Sequence, residues 1–195
     1  MEITHQNINI VGDFNPAIIQ PKWLAMQKIY EGEIGTDLNL TNRTFRYCML
    51  NTGVYWELVN RSFLIYNKNP LEPLNKINLG FVKAIFEKLK FTPIDAIGYN
   101  IHAKINDHKI FGEKISQIRL ETSKKEKPSL TSFTNRFEYK GKTFLINIEE
   151  TNNDVTAKIN FERKIYSLDT TKEINQFIDE LGDFYNYAKE FIKSA

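Results

Sequence analysis

The chain of 195 residues contains a single cysteine, Cys48, so it cannot form an internal disulfide bond. One thiol also cannot build the cysteine-rich zinc sites that hold many small domains together. Cys48 lies in the apolar run 45–50, and we expect it to be a buried thiol that packs as a small hydrophobic side chain. The fold must therefore be stabilised by its core, which a chain of this length can achieve.

Long apolar runs are also absent. No stretch approaches the roughly 18 uninterrupted apolar residues of a membrane span. Residues 1–7 lack the basic and apolar segments of a secretory signal. We therefore expect a cytoplasmic protein with no membrane contact. The abundance of Asn, Lys and Ile is typical of AT-rich bacterial or phage coding sequences.

Motifs of catalysis are scarce. The chain has no Gly-x-Ser-x-Gly elbow and no glycine-rich loop that joins a strand to a helix. Glu138-x-Lys140 has the spacing of restriction-type nucleases, with Asp95 as a second carboxylate. The long gap to Asp95 and the hairpin turn at Lys140 weigh against such a site. His102 and His108 are six residues apart, which does not fit a helical zinc pair. We predict no enzymatic activity, no metal and no cofactor.

A repeated order of predicted elements is present instead. Pro21 suits the first turn of a helix, and Gly53 can supply the positive φ of a tight turn. The polar stretch that ends near Asn42 contains no predicted strand. The elements predicted in the first half are a strand over 7–11, a helix from Pro21, strands over 45–50 and 54–66, and a helix over 75–89.

The second half repeats this order. A strand over 94–105 is followed by a polar segment, 123–128, that is typical of a mobile loop. Period-two alternation of apolar residues from Phe137 to Phe161 then predicts three consecutive antiparallel strands. Thr170 and Glu173 fit a capping box at the start of a helix that runs to the C-terminus.

These elements predict an α+β protein. The expected architecture is a curved antiparallel sheet with helices on one face, a long C-terminal helix and a possible two-fold pseudo-repeat. We expect a single domain over residues 1–195, with possible half-repeats 1–91 and 92–195. The layout is similar to the TATA-binding-protein-like and helix-grip architectures. A likeness of layout does not define a function.

Charge is distributed unevenly. Lys and Arg outnumber Asp and Glu by ten to five between Lys104 and Lys142, and the ratio reverses to five against ten between Glu149 and Glu190. The basic part is a candidate for nucleic-acid contact, for docking onto an acidic protein surface, or for a solvated lysine-rich loop. The residues of this predicted basic surface are Arg119, Lys124, Lys125, Lys127, Arg136, Lys140 and Lys142.

Two segments carry a more local resemblance. INIVGDFNP, residues 8–16, together with IDAIGYN, residues 94–100, resembles a sporadically distributed group of uncharacterised bacterial proteins. Some members of that group belong to mobile elements and defence loci. The resemblance implies a role in recognition more than in metabolism, and it implies no functional residues.

The sequence thus favours a non-enzymatic binding or interaction protein, as a component of a protein complex or a homo-oligomer in a bacterial or phage defence context. One alternative is a nucleic-acid-binding module that uses the basic region 104–142 or aromatic side chains exposed on its sheet. A second alternative is a small-ligand protein with an apolar pocket under the last helix.

Overall fold

A computed structural model describes most of the chain. The residues that it describes are 2–15, 18–39, 44–59, 61–67, 74, 79–105, 132–139, 142–151, 154–166 and 169–194. They form one open antiparallel sheet of nine strands with four helices, so the predicted α+β class is confirmed. The strands are β1 (Glu2–Gly12), β2 (Ile34–Asn39), β3 (Thr44–Met49), β4 (Val54–Val59), β5 (Ser62–Asn67), β6 (Ile94–Ile105), β7 (Ser132–Tyr139), β8 (Lys142–Thr151) and β9 (Asp154–Lys164). The helices are α1 (Pro21–Met26), α2 (Gly80–Lys88), α3 (Thr170–Asp179) and α4 (Leu181–Ser194).

The strand order shows how the two halves of the chain meet. From edge to edge it is β2-β3-β4-β5-β1-β6-β9-β8-β7. In each half the first strand is central and the last strand of the following meander lies beside it, β5 next to β1 and β9 next to β6. The first half has one additional strand, β2, at its edge. The possible half-repeats 1–91 and 92–195 stay a prediction.

The two faces of the sheet differ because apolar side chains alternate with polar ones. On β1, Ile8 and Ile10 are fully buried, whereas Asn7 and Asn9 lie on the opposite face and are half-buried. One cluster of buried apolar side chains includes residues of both halves. A sheet with one apolar face needs a layer of helices on that face.

Aromatic contacts show where the helices pack. Phe81 of α2 lies 6.0 Å from Trp56 of β4, measured between ring centroids. Phe184 of α4 stacks on Phe161 of β9 at 4.6 Å. Since Trp56 and Phe161 both belong to the buried face, the helices cover that face, as predicted. None of the described helices packs on the other face, which is called the helix-free face below in this sense.

Several local predictions are confirmed. Pro21 stands at the start of α1, and Gly53 has a φ of 67° in the turn between β3 and β4. The bounds of β6 are those predicted, and the three alternating segments of the second half form β7, β8 and β9. Phe81 and Ile85 of α2 are buried, as their spacing predicted. The predicted start of that helix at residue 75 lies outside the described residues.

Other predictions were wrong at their boundaries. β1 begins at Glu2 rather than at residue 7. The alternation fails there because the polar Gln6 takes a buried position and a bulge shifts the register between Ile3 and His5. β2 was not predicted, since Thr36, Asp37 and Leu38 are all exposed at the sheet edge and show no alternation. The helix predicted to begin at Pro21 ends already at Met26.

The C-terminal helix also differs from its prediction. It is divided at Glu180 into α3 and α4. The capping box at Thr170 and Glu173 was wrong, because the carboxylate of Asp169 caps α3 by accepting a hydrogen bond from the backbone N–H of Thr171, at 3.1 Å. Among the described residues, none of the helices has the length and apolar character that crossing a membrane requires.

Candidate functional site

One register line crosses the whole helix-free face. It takes one residue from each of the nine strands and extends over about 38 Å at the usual spacing between strands. We call this line the central row. From the β2 edge to the β7 edge its residues are Gly35, Cys48, Tyr55, Tyr66, Asn7, Asn100, Asn160, Leu145 and Arg136.

Three asparagines form the middle of the central row. Asn160 donates from Nδ2 to Oδ1 of Asn100 at 2.7 Å, and Asn100 donates from Nδ2 to Oδ1 of Asn7 at 2.9 Å. Nδ2 of Asn7 lies 2.9 Å from Nε2 of His5, to which it donates. The amides therefore form a chain of hydrogen bonds that runs from β9 through β6 to β1.

Asparagine is an unfavourable residue in the middle of a strand, so three of them in register need a compensating interaction or a function. A primary amide has two N–H donors and an oxygen with two lone pairs. The chain occupies one donor and one lone pair of Asn100. Asn100 thus retains one N–H donor and one lone pair beyond these two hydrogen bonds.

Two imidazoles stand beside this chain. The ring centroids of His5 and His102 are 5.4 Å apart, in an edge-to-face arrangement, and Tyr66 lies 6.0 Å from His5 on the other side. Burial lowers the pKa of His5 below its usual value. The neutral ring is the form that can accept a hydrogen bond at Nε2, as the contact with Asn7 requires.

A stacked pair of tyrosines continues the central row across β5 and β4. The rings of Tyr55 and Tyr66 are 5.5 Å apart and nearly parallel, at 9°. The guanidinium of Arg46 lies 5.9 Å from the Tyr66 ring, and Glu57 is 3.7 Å from Arg46. Burial, together with the negative charge of Glu57, raises the pKa of Tyr66 to about 12.

The structure describes two of the seven residues of the predicted basic surface, Arg136 and Lys142. Arg136 is exposed on β7 and belongs to the central row, and Lys142 begins β8. Lys104 and Lys158 lie on the same face as Arg136, at positions that pair with Thr156 and His102. The predicted residues that lie outside the described part of the chain are Arg119, Lys124, Lys125, Lys127 and Lys140.

The connection between β6 and β7 carries most of those outside residues. The end of β6 and the start of β7 lie at the same end of the sheet, because one register line joins them. This line runs through Lys104, Thr156, Glu149 and Ser132. The chain therefore leaves β6 and enters β7 on the side of the sheet where Lys104 and Lys158 stand.

The weak nuclease pattern is not brought together by the fold. Glu138 is on β7 and Asp95 is on β6, with β8 and β9 between them in the sheet. Asp95 forms an ion pair with Arg61 at 2.8 Å. No group of metal-binding side chains occurs within the described ranges. His102 lies on β6, while His108 and Lys140 fall outside those ranges.

Cys48 is not the buried thiol that its apolar neighbours indicated. It is half-buried and lies on the helix-free face beside Tyr55, while Tyr47 and Met49 fill the core positions. The apolar run concealed an alternation in which the cysteine takes the outward position.

The asparagines and tyrosines of the central row were not singled out from the sequence. A signal existed, because Asn7 and Asn9 alternate with Ile8 and Ile10 and must therefore point away from the core. The alignment of Asn7 with Asn100 depends on strand register, which no local pattern contains.

The chain matches no protein-family model, no curated protein and no solved structure. The resemblance of residues 8–16 and 94–100 to a bacterial group therefore stays a prediction, and so does the likeness to TATA-binding-protein-like or helix-grip proteins. What the protein does must be inferred from its own side chains.

Proposed function

We propose that the protein acts by binding and that its helix-free face binds nucleic acid. The observation that carries the proposal is the central row, which joins three amides, a stacked pair of phenols and a guanidinium in one line on one face of the sheet. These are the groups with which proteins contact bases and phosphates.

The amides supply recognition of bases. Asparagine side chains pair with base edges through one donor and one acceptor, and the chain of hydrogen bonds leaves both available on Asn100. Because Asn160 and Asn7 hold Asn100 on both sides, its amide plane is fixed before a ligand arrives. A fixed amide loses little conformational entropy on binding.

The cations supply attraction to phosphates. Arg136, Lys104 and Lys158 all lie on the helix-free face in the β6-β9-β8-β7 part of the sheet. The sequence between Lys104 and Lys142 has five more basic than acidic residues. Contacts of this kind make binding strongly dependent on salt.

The tyrosines supply a platform for stacking. Tyr55 and Tyr66 are half-buried, so part of each ring is accessible on the face. Stacking of a base on an aromatic ring contributes about 1–3 kcal/mol and tolerates any base. The β4-β5 part of the sheet therefore suits unpaired bases.

Binding to short fluorescent oligonucleotides, single- and double-stranded DNA and RNA, tests the proposal by anisotropy at about 50 mM and about 200 mM salt. We expect Asn100→Ala to weaken binding by at least about fivefold. Arg136→Ala should lower the slope of log affinity against log salt by about 1.

Matched controls are available on the helices. Asn186 on α4 and Lys172 on α3 are exposed, so Asn186→Ala and Lys172→Ala make comparable changes on the opposite side of the sheet. Binding that is absent at low salt, or that these controls weaken as much as the central-row variants do, would refute the proposal.

A protein partner or a second copy of the chain, the leading prediction from sequence, is the second candidate. Leu38 of β2 and Phe45 of β3 are paired in register and each is 45% exposed. This pair lies at an open sheet edge, where another chain can dock. Light scattering after size exclusion tests this candidate. We expect the wild type to have a mass above that of one chain and Phe45→Ser to have the mass of a monomer. The defence context and the cytoplasmic location stay predictions.

A further inference from the structure

The asparagine chain has a direction. Asn160 donates to Asn100, Asn100 donates to Asn7, and Asn7 donates to His5, so all three hydrogen bonds point the same way. Reversing one amide alone would place two N–H groups or two oxygens against each other. The amides must therefore keep or reverse their orientation together.

The two ends of the series of hydrogen-bonded asparagines have different surroundings. At the β9 end the next residue in register is Leu145, whose side chain has no polar group. Oδ1 of Asn160 is buried there and has no hydrogen-bond partner among the described residues. Either the oxygen or the nitrogen of this amide can occupy that place. At the β1 end the ring of His5 accepts a hydrogen bond from Asn7. The hydrogen-bonding role of His5 therefore determines how the three asparagine amides are oriented.

We propose that His5 is a specificity-determining residue whose protonation reverses the hydrogen-bond chain through Asn7, Asn100 and Asn160. A proton on Nε2 converts this atom from an acceptor to a donor. Asn7 must then present Oδ1 to His5 and Nδ2 to Asn100. Asn100 and Asn160 rotate in turn, so that each accepts where it formerly donated.

The reversal changes what the helix-free face offers to a ligand. On each rotated amide, the remaining donor and the remaining lone pair exchange places. The three amides span two strand spacings, about 10 Å, which is long enough to contact more than one base. A single proton thereby exchanges one hydrogen-bonding pattern for its inverse. This consequence, unlike the reversal itself, rests on the proposed binding of nucleic acid.

The groups around His5 determine when the reversal occurs. β6 contributes His102 and Lys104, with Lys158 of β9 behind His102, and β5 contributes Tyr66. These neighbours are neutral or positive, and burial lowers the pKa of His5. We therefore expect the reversal at acid pH, below the usual histidine pKa of about 6.5.

Nitrogen-15 NMR tests the inference on the intact chain. The side-chain amide signals of Asn7, Asn100 and Asn160 are followed with the His5 ring nitrogens between about pH 4.5 and pH 8. In the wild type we expect all three amides to shift with the His5 midpoint. In His5→Gln, whose amide offers an acceptor that does not titrate, the shifts should be lost, whereas His102→Gln should retain them.

A second variant distinguishes an effect transmitted through the hydrogen-bonded amides from a general effect of the charge on His5. In Asn7→Ala the link is removed, so Asn100 and Asn160 should no longer follow His5. Amides that ignore His5 in the wild type, or that still follow it in Asn7→Ala, would overturn the inference. If the amides reverse but oligonucleotides bind at no pH, the proposed function fails and the proton-controlled chain stands.

Discussion

Asn100 donates a hydrogen bond to Asn7 at 2.9 Å across the junction of β6 and β1, and the two residues are 93 positions apart in the chain. This bond lies in the middle of the nine-stranded sheet, where the first half of the sequence meets the second. The junction of the two halves is therefore also the centre of the candidate binding surface.

The bond between Asn7 and Asn100 should couple their contributions to stability. We expect Asn7→Ala and Asn100→Ala each to lower the free energy of unfolding by about 0.5–1.5 kcal/mol. The double variant should lose less than the sum, because the shared bond can be lost only once. Urea unfolding measures all three, with Asn186→Ala as the control, and strictly additive losses would argue against the coupling.

The single thiol reports on occupation of the central row. Cys48 is half-buried and lies on the helix-free face, so a thiol reagent should modify it slowly in the folded protein and rapidly after unfolding. A bound oligonucleotide should slow the modification severalfold because it covers the row. An unchanged rate with saturating oligonucleotide would place the ligand elsewhere. The reaction is followed by absorbance or by mass spectrometry.

The start of α3 depends on Asp169. Asp169→Ala removes the acceptor for the N–H of Thr171 and should destabilise the protein by about 0.5–2 kcal/mol. Asp169→Asn should retain most of the stability, since asparagine caps as well as aspartate. Thermal unfolding of the two variants decides the matter, and equal losses would show that the cap contributes through charge alone.

Alkaline pH should destabilise the helix-free face through Tyr66. Its pKa is raised from 10 to about 12 by burial and by Glu57, so the folded state favours the neutral phenol. This contribution to stability is complete below pH 10 and is lost as the pH rises toward about 12. In Tyr66→Phe that part of the pH dependence should disappear. Urea unfolding at several pH values, together with ultraviolet titration of the phenol, measures the effect.

Local patterns predicted much of the fold. The apolar run after Pro93 predicted β6, and alternation predicted β8 and β9, because a strand with one buried face must alternate. β2 was not predicted because an edge strand buries little apolar surface and needs no alternation of apolar and polar residues. The division at Glu180 escaped too, since the stripe of apolar residues continues through it and hides the break.

The candidate site was harder to predict. Arg136 was singled out by charge and does lie in the central row. Asn7, Asn100 and Asn160 were passed over because asparagine is usually a residue of turns and caps. Their significance arises from register between strands that are far apart in sequence, which depends on the complete sheet.

The position of β1 has a consequence for synthesis on the ribosome. β1 precedes both of its neighbours, β5 and β6, in the chain, so it completes its pairing only after residue 105 has left the exit tunnel. Until then the nascent first half presents the β6-facing edge of β1 as an unpaired template. The β1 edge of a second nascent chain is a competing partner for it. We therefore expect strand exchange between chains, where translation is crowded, to begin at the middle of the sheet rather than at its outer edges.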